Sequence, residues 1–252
     1  MTKKSTIFLI TGLLILAAIF LIRSSMKNNF EAGSVVVPDV VPGTSIKFQN
    51  PKKSAHYEYN TPAHGSILAA PPLNAVIDFN FDLAPPSSVS IIHSDGKEYG
   101  SGDIAIDSNK LAMRRMMAKE APDGIYTVNY TACWPDKSCH KGYFQFVIDR
   151  SLVEDYVDLR NKPEVEIKLR EIVFKPVKIR VSAGAKVTWV NDEDIVHYVN
   201  TDAHPSHTYY PAQNSKALAK GEAFSIVFDK AGAYPYHCSA HADVMKGSLI
   251  VE

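Results

Sequence analysis

Three side chains that bind soft metals fall within one short stretch near the end of the sequence. In YPYHCSAHADVMKG, Cys238, His241 and Met245 follow a C-x2-H-x3-M spacing. The residues ahead of them have a strand's alternation. Tyr234, Tyr236 and Cys238 share one side, and Pro235 and His237 share the other. Cys238 is therefore expected to point inward, and His237 to lie at the surface or in a second layer. The chain must then turn so that His241 and Met245 fold back toward the sulfur, and Gly247 permits the exit into the last strand. A fourth donor has to come from elsewhere, and His197 is the best candidate. It follows the strand-like KVTWVN after a polar turn, Asp192-Glu193-Asp194, and it sits in a new apolar stretch. Two imidazoles, a thiolate and a distant thioether suit copper in both oxidation states, because soft sulfur stabilises Cu(I) and imidazole tolerates Cu(II). Asn191 is expected to bond backbone near His197. Structural zinc would prefer Cys or His at all four positions. A Cys-His nucleophile would need an oxyanion hole and a water-accessible sulfur. A binuclear copper centre would need a second Cys in the loop, and an inert core cluster is the remaining alternative.

Other candidate donors are scattered. His204 and His207 lie in DAHPSHTYYP, where their spacing could serve a second metal; an exposed polar loop is the preferred reading. Met113, Met116 and Met117 could bind Cu(I) through thioethers, but clustered Met side chains more often fill gaps in a core.

The elements that must position these groups read as strands. From 54 to 150 the segments AVIDFNF, SVSIIHSDGK, IYTVNYTAC and GYFQFVID are separated by turns, with Asp95-Gly96 as one of them. MRRMMAKEAPDG is the one stretch that could hold a helical turn, closed by Pro122-Asp123-Gly124. Residues 151–163 are mostly charged and read as an interdomain connection with at most one short helix. From 164 to 252 alternating segments resume: EVEIKLR, VKIRVSAG, KVTWVN, FSIVFD, AYPYHC and GSLIVE. The expected fold class is all-β, with two β-sandwich domains behind an N-terminal transmembrane helix.

Two resemblances sharpen that reading. VTWVN followed by His197, some forty residues ahead of a Cys-His-Met loop, and the closing GAYPYHCSAH and MKGSLIVE, resemble a cupredoxin across about 164–252. The resemblance implies a Greek-key sandwich and a type 1 (blue) copper site. Its equatorial ligands would be His197, Cys238 and His241, and its weak axial ligand Met245. HYEYNTPAHGSILAAPPLNAVIDFNF and PDGIYTVNYTACWPDKSCHKGYFQFVID resemble the start and end of the CopC-like copper-resistance family, over about 54–150. That implies an immunoglobulin-type sandwich and a second Cu(II) held by His56 and His140. This sequence departs from the family in two ways: His56 is internal rather than N-terminal, and Ser138 stands where the family has an Asp. His64 lies near enough in sequence to substitute.

Export is expected on two grounds. Lys3 and Lys4 precede an apolar run from Ile7 to Ile22, followed by Arg23 and Lys27. As a helix the run would rise about 24 Å, slightly less than a ~30 Å hydrocarbon core. No Ala-x-Ala site follows it and Arg23 occupies the region where cleavage would occur, so 1–29 reads as an uncleaved anchor; a cleaved signal peptide is the alternative. Residues 30–53, rich in Val, Pro, Gly and Ser, read as a linker lifting the folded part off the extracytoplasmic face. The second ground is cysteine usage. Cys133 and Cys139 flank a short turn between two strand-like runs and are expected to form a disulfide, which an oxidising compartment favours. Cys238 is the third and last Cys of the chain.

A net charge of zero offers no field for nucleic acid. The function expected is one-electron transfer with a redox partner protein; the alternative is copper sequestration or delivery to a trafficking partner. An enzyme is not expected, because a second catalytic copper centre would need several converging His, and the nine His here look scattered.

Overall fold

Period-two burial recurs in the described strands, and it places many of the side chains discussed below. The computed structural model describes residues 46–252. The first eight strands are β1 (Tyr57–Thr61), β2 (Ile67–Leu68), β3 (Asn74–Phe79), β4 (Ala84–His93), β5 (Gly100–Ile106), β6 (Ala112–Met117), β7 (Gly124–Cys133) and β8 (Cys139–Ile148). They form two four-stranded sheets, ordered β1-β3-β6-β5 and β2-β8-β7-β4. Ile77, Phe79 and Met113 from one sheet meet Ile91, Tyr126, Val128 and Phe146 from the other in a common core. The β7–β8 hairpin is stapled at its tip by a Cys133–Cys139 disulfide, where the two residues face each other in register.

The remaining strands are β9 (Val157–Asp158), β10 (Glu164–Arg170), β11 (Val173–Lys175), β12 (Lys178–Val181), β13 (Ala185–Asn191), β14 (Asn200–Thr201), β15 (Ala223–Phe228), β16 (Gly232–His237) and β17 (Lys246–Val251). They build a β11-β10-β13-β15 sheet against a β14-β16-β17-β12-β9 sheet. In β10 the side chains of Val165, Ile167 and Leu169 are buried and their neighbours exposed. Trp189, fully buried on β13, packs against Phe224, Phe228 and Tyr236 and ties the two sheets together. The structure is thus all-β, with each set of strands enclosing its own sandwich core.

Three expectations about elements need revision or placement. MRRMM is strand β6, not a helical turn: Met113 and Met117 fill the core, while Met116 is exposed on the other face. The 151–163 connection does hold a short 3-10 helix (Arg150–Asp155), and it also contributes β9, which pairs in parallel with β12. The end of the segment read as a linker lies against β8, with Lys52 and Tyr143 exchanging backbone bonds of 3.0 and 2.9 Å. The apolar run at 7–22 lies outside the described residues; among those described, no helix is long and apolar enough to cross a membrane.

The two sandwiches share a contact with apolar and polar parts. All six residues of β3 are buried, because Ala75, Ile77 and Phe79 face their own core while Asn74, Val76 and Asp78 face the other way. Val76, Leu73 and Ala112 join the second sandwich's apolar cluster. The Tyr209 hydroxyl accepts the Leu73 N–H at 2.7 Å and donates to the Ala233 carbonyl at 2.6 Å. Arg114, paired with Asp107, donates to the carbonyls of Thr208 and Tyr209 at 3.0 and 3.3 Å. The Thr208 hydroxyl donates to Asp78 at 2.7 Å.

Asp78 is a carboxylate enclosed in this contact, and burial pushes its pKa up from 3.8 to about 6 against the opposing pull of Thr208 and Arg114. A raised acid pKa means that the folded state binds more protons than the unfolded one between those two values, so stability falls as pH rises through that window. Asp78→Asn removes this slope. Relative to the parent, the variant is expected to gain stability between pH 3.8 and about 6, by on the order of 3 kcal/mol at most. Denaturant unfolding across that range checks it, and parallel pH profiles for the two proteins would refute it.

Candidate metal centre

β16 delivers Cys238 to the core because Tyr234, Tyr236 and Cys238 lie on its buried side. A single turn of 3-10 helix, Ser239–His241, then reverses the chain. Its neck is closed by backbone bonds. The Cys238 N–H donates to the Met245 carbonyl at 3.0 Å, and the N–H groups of Val244 and Met245 donate to the His241 carbonyl at 3.1 and 2.9 Å. Gly247 earns its place by space rather than by backbone freedom: a Cβ there would sit 2.4 Å from the Tyr236 ring opposite it.

His197 reaches the same point from the other side. It makes a two-bond bridge with Leu218, at 3.1 and 2.8 Å. The buried Asn191 amide donates to the carbonyls of Ile195 and Leu218 at 2.7 and 2.8 Å, while its oxygen accepts the Glu193 N–H at 3.0 Å. These bonds fix the loop that carries the imidazole.

The result is a buried sulfur faced by two nitrogens. Cys238 Sγ lies 3.5 Å from His197 Nδ1 and 3.6 Å from His241 Nδ1. Its other polar partner is the Tyr198 N–H, which donates at 3.3 Å. Cys238 and His197 are fully buried, Met245 is buried, and His241 is half-buried. A first-row ion bonded to nitrogen at ~2.0 Å and to sulfur at ~2.3 Å, with ligand angles of ~110–120°, would put N and S roughly 3.5–3.8 Å apart. The donor set and its spacing therefore fit a metal of that size.

Glu193 joins the site without having been singled out from the sequence. Its Oε1 lies 2.7 Å from His197 Nε2. Burial raises the Glu193 pKa, but the N–H groups of Ile172 and Glu171 and the His197 ring together outweigh it and hold the carboxyl below its usual range. The carboxylate accepts, so Nε2 carries the proton and the Nδ1 lone pair faces the sulfur. The signal was present in the polar turn: an acidic residue four positions before His197.

His237 takes the second-layer place rather than the surface one. It is on the face opposite Cys238, as alternation requires, but it is only 2% exposed because the 202–209 loop covers it. His207 Nε2 lies 3.1 Å from His237 Nε2, 3.3 Å from His204 Nδ1 and 3.1 Å from Ser239 Oγ. His237 Nδ1 lies 2.9 Å from Asp202 Oδ1. Burial, then the neighbouring His237 and His204, pull the His207 pKa down to about 4. Among the described residues, two groups of three donors converge, His197, Cys238 and His241, and His204, His207 and His237, so the His that look scattered in the sequence are gathered by the fold and the 204–207 loop is more than an exposed polar one.

His56 and His140 join no such group. The His56 ring stacks on Phe81 at 4.8 Å and meets Trp134 edge-on at 5.2 Å, and its Nδ1 lies 3.0 Å from Asn80 Oδ1. The His140 ring stacks with Trp134 at 6.4 Å. His64 is turned to β8, where its Nδ1 accepts the Gln145 N–H at 3.1 Å.

Comparison with known proteins divides the chain at the same places. The family model for copper binding proteins of the plastocyanin/azurin family matches residues 162–252, and the model for the CopC domain matches residues 57–149. Plastocyanin of Scenedesmus fuscus is 36% identical over 91 residues, which span 32% of this chain and 88% of the relative. Amicyanin-alpha of Methylorubrum extorquens is 31% identical over 87 residues, 34% of this chain and 71% of the relative. Among solved structures, a reduced amicyanin mutant is 28% identical, with a TM-score of 0.30, covering 35% of this chain and 82% of that one.

Glu193→Gln keeps the shape of the side chain and removes its charge. Cu(II) affinity at the thiolate group is expected to fall by about 10- to 100-fold, read by chelator competition on the full chain. An unchanged affinity would show that the carboxylate does not orient His197.

Proposed function

Since the chain belongs, through residues 162–252, to the plastocyanin/azurin family of copper-binding proteins, we propose that it is a one-electron carrier rather than an enzyme, with His197, Cys238 and His241 as equatorial copper ligands and Met245 as the weak axial one. The observation that carries this reading is the enclosed thiol with two imidazole nitrogens at 3.5 and 3.6 Å. When bound, copper supplies one-electron exchange between Cu(I) and Cu(II). The chain's contribution is to hold the donors still and keep water out. Cys238 and His197 are sealed from solvent, the Tyr198 N–H donates to the sulfur, and the backbone neck between Cys238 and Met245 limits how far the donors can move. Rigid donors that suit both oxidation states reduce the rearrangement that accompanies each electron.

The surroundings of His241 support exchange with a partner protein. It is the half-buried member of the buried set. Val244, three residues on, is 74% exposed, and Ile195 and Val196, beside His197, are 44% and 43% exposed. Apolar side chains at the rim of a site suit a transient, partly dry contact.

A second reading has its own support. The CopC domain match at 57–149 favours copper handling, in which the protein sequesters copper or passes it to a trafficking partner. A Cu(II) at His56 and His140 belongs to this reading. Placement on the extracytoplasmic side, behind an anchor at 7–22 or after signal cleavage, is part of both proposals. It is supported by the apolar run and by the Cys133–Cys139 disulfide.

Copper loading of the full chain is expected to give an intense thiolate-to-Cu(II) charge-transfer band, and Cys238→Ser to abolish it with the fold retained by circular dichroism. A band that survives the substitution removes Cys238 from the site. Stopped-flow kinetics then separate the two roles. An electron carrier exchanges electrons faster than it loses copper to a competing chelator or apo-acceptor; the reverse order supports delivery.

A further inference from the structure

We propose that His204, His207 and His237 form a second metal site, independent of the thiolate centre, that takes a single divalent first-row ion, with Cu(II) as the preferred occupant. The three imidazoles come from two separate segments, β16 and the 202–209 loop, and they converge on one point. His207 Nε2 is 3.1 Å from His237 Nε2 and 3.3 Å from His204 Nδ1. Nitrogens bonded at ~2.0–2.1 Å to one ion, with ligand angles between a right angle and the tetrahedral value, lie roughly 2.9–3.4 Å apart. The spacing is that of adjacent ligands.

Proton accounting points the same way. The Asp202 carboxylate accepts from His237 Nδ1, so His237 Nε2 presents a bare lone pair. His207 Nε2 then faces that lone pair, His204 Nδ1 and the Ser239 hydroxyl together. One proton on His207 Nε2 could serve only one of the facing nitrogens; a cation serves all three imidazoles at once. The Asp202–His237 pair is also the carboxylate–imidazole arrangement that fixes the tautomer of metal-bound histidines.

The loop is built to hold this position. His207 is kept at φ +50°, a left-handed conformation, while its carbonyl accepts from Asn214 Nδ2 at 2.9 Å. On its far side the loop is clamped by the first sandwich, through the Thr208 contacts to Asp78 and Arg114. A nitrogen-only donor set favours Cu(II) over Zn(II) in the Irving–Williams order. Sulfur does not enter it, so its copper spectrum differs from that of the thiolate group.

The test uses the full chain in a His56→Ala/His140→Ala background, which sets aside the proposed CopC-domain copper. After Cu(II) loading and desalting, two coppers per chain are expected. One should give the blue band and the other a paramagnetic-resonance signal with wide hyperfine splitting and nitrogen couplings. His204→Ala/His207→Ala should lose one copper and that second signal while keeping the blue band, which also certifies the fold. Asp202→Asn should weaken the second copper by about 10- to 100-fold. Unchanged stoichiometry and spectrum in the double variant, or a site that fills with Zn(II) and resists exchange for Cu(II), would overturn the proposal. A missing blue band in the parent, with the second signal present and lost in the double variant, would count against the thiolate centre and support the three-histidine site.

Discussion

The second sandwich is organised around the cost of burying a polarisable sulfur with almost nothing to hydrogen-bond to. Cys238 Sγ has one backbone N–H and two ring nitrogens around it and no solvent. A polar or ionised group in such a place is unfavourable unless its partners are fixed in advance. Much of the nearby architecture supplies that fixing. The Asn191 amide holds the turn before His197, Glu193 holds the ring itself, and the Cys238–Met245 bond closes the loop that carries His241. Trp189, Phe174 and Tyr236 pack edge to face beneath them, which leaves the donors little freedom to relax apart.

Much of this was legible because strands announce themselves by alternation. Val165, Ile167 and Leu169 on β10, and Tyr234, Tyr236 and Cys238 on β16, could be assigned to a buried face by parity alone. The short C-x2-H-x3-M stretch was legible as a donor set for a related reason: its members are close in sequence, so a single turn brings them together. The CopC-like and cupredoxin likenesses rest on the same local strings and agree with the matched families.

What escaped the sequence was non-local or hid behind ambiguous composition. Met and Arg are good helix formers, so MRRMM suggests a helical turn; tertiary demand overrides that preference, burying Met113 and Met117 and sending Arg114 to the Thr208 carbonyl. His207 and His237 are thirty residues apart, and only the pairing of β14 with β16 brings the 202–209 loop over the buried ring. Parity correctly put His237 on the other face from Cys238, but it could not say that this face is covered. The double burial of β3 was hidden for the same reason: an apolar run does not reveal what lies on each of its sides.

One consequence follows from His237 and Cys238 being consecutive. A strand sends neighbours to opposite faces, so a slip of one residue along β16 would carry the imidazole into the core and expel the thiol. The Tyr236–Gly247 pairing, which leaves no room for a larger residue at 247, acts as a ratchet pin against that slip. Loop tips elsewhere in the chain can lengthen or shorten as lineages diverge, but a single residue inserted or deleted within β16 would exchange its two faces at once, so this strand is expected to hold its length while its surroundings drift.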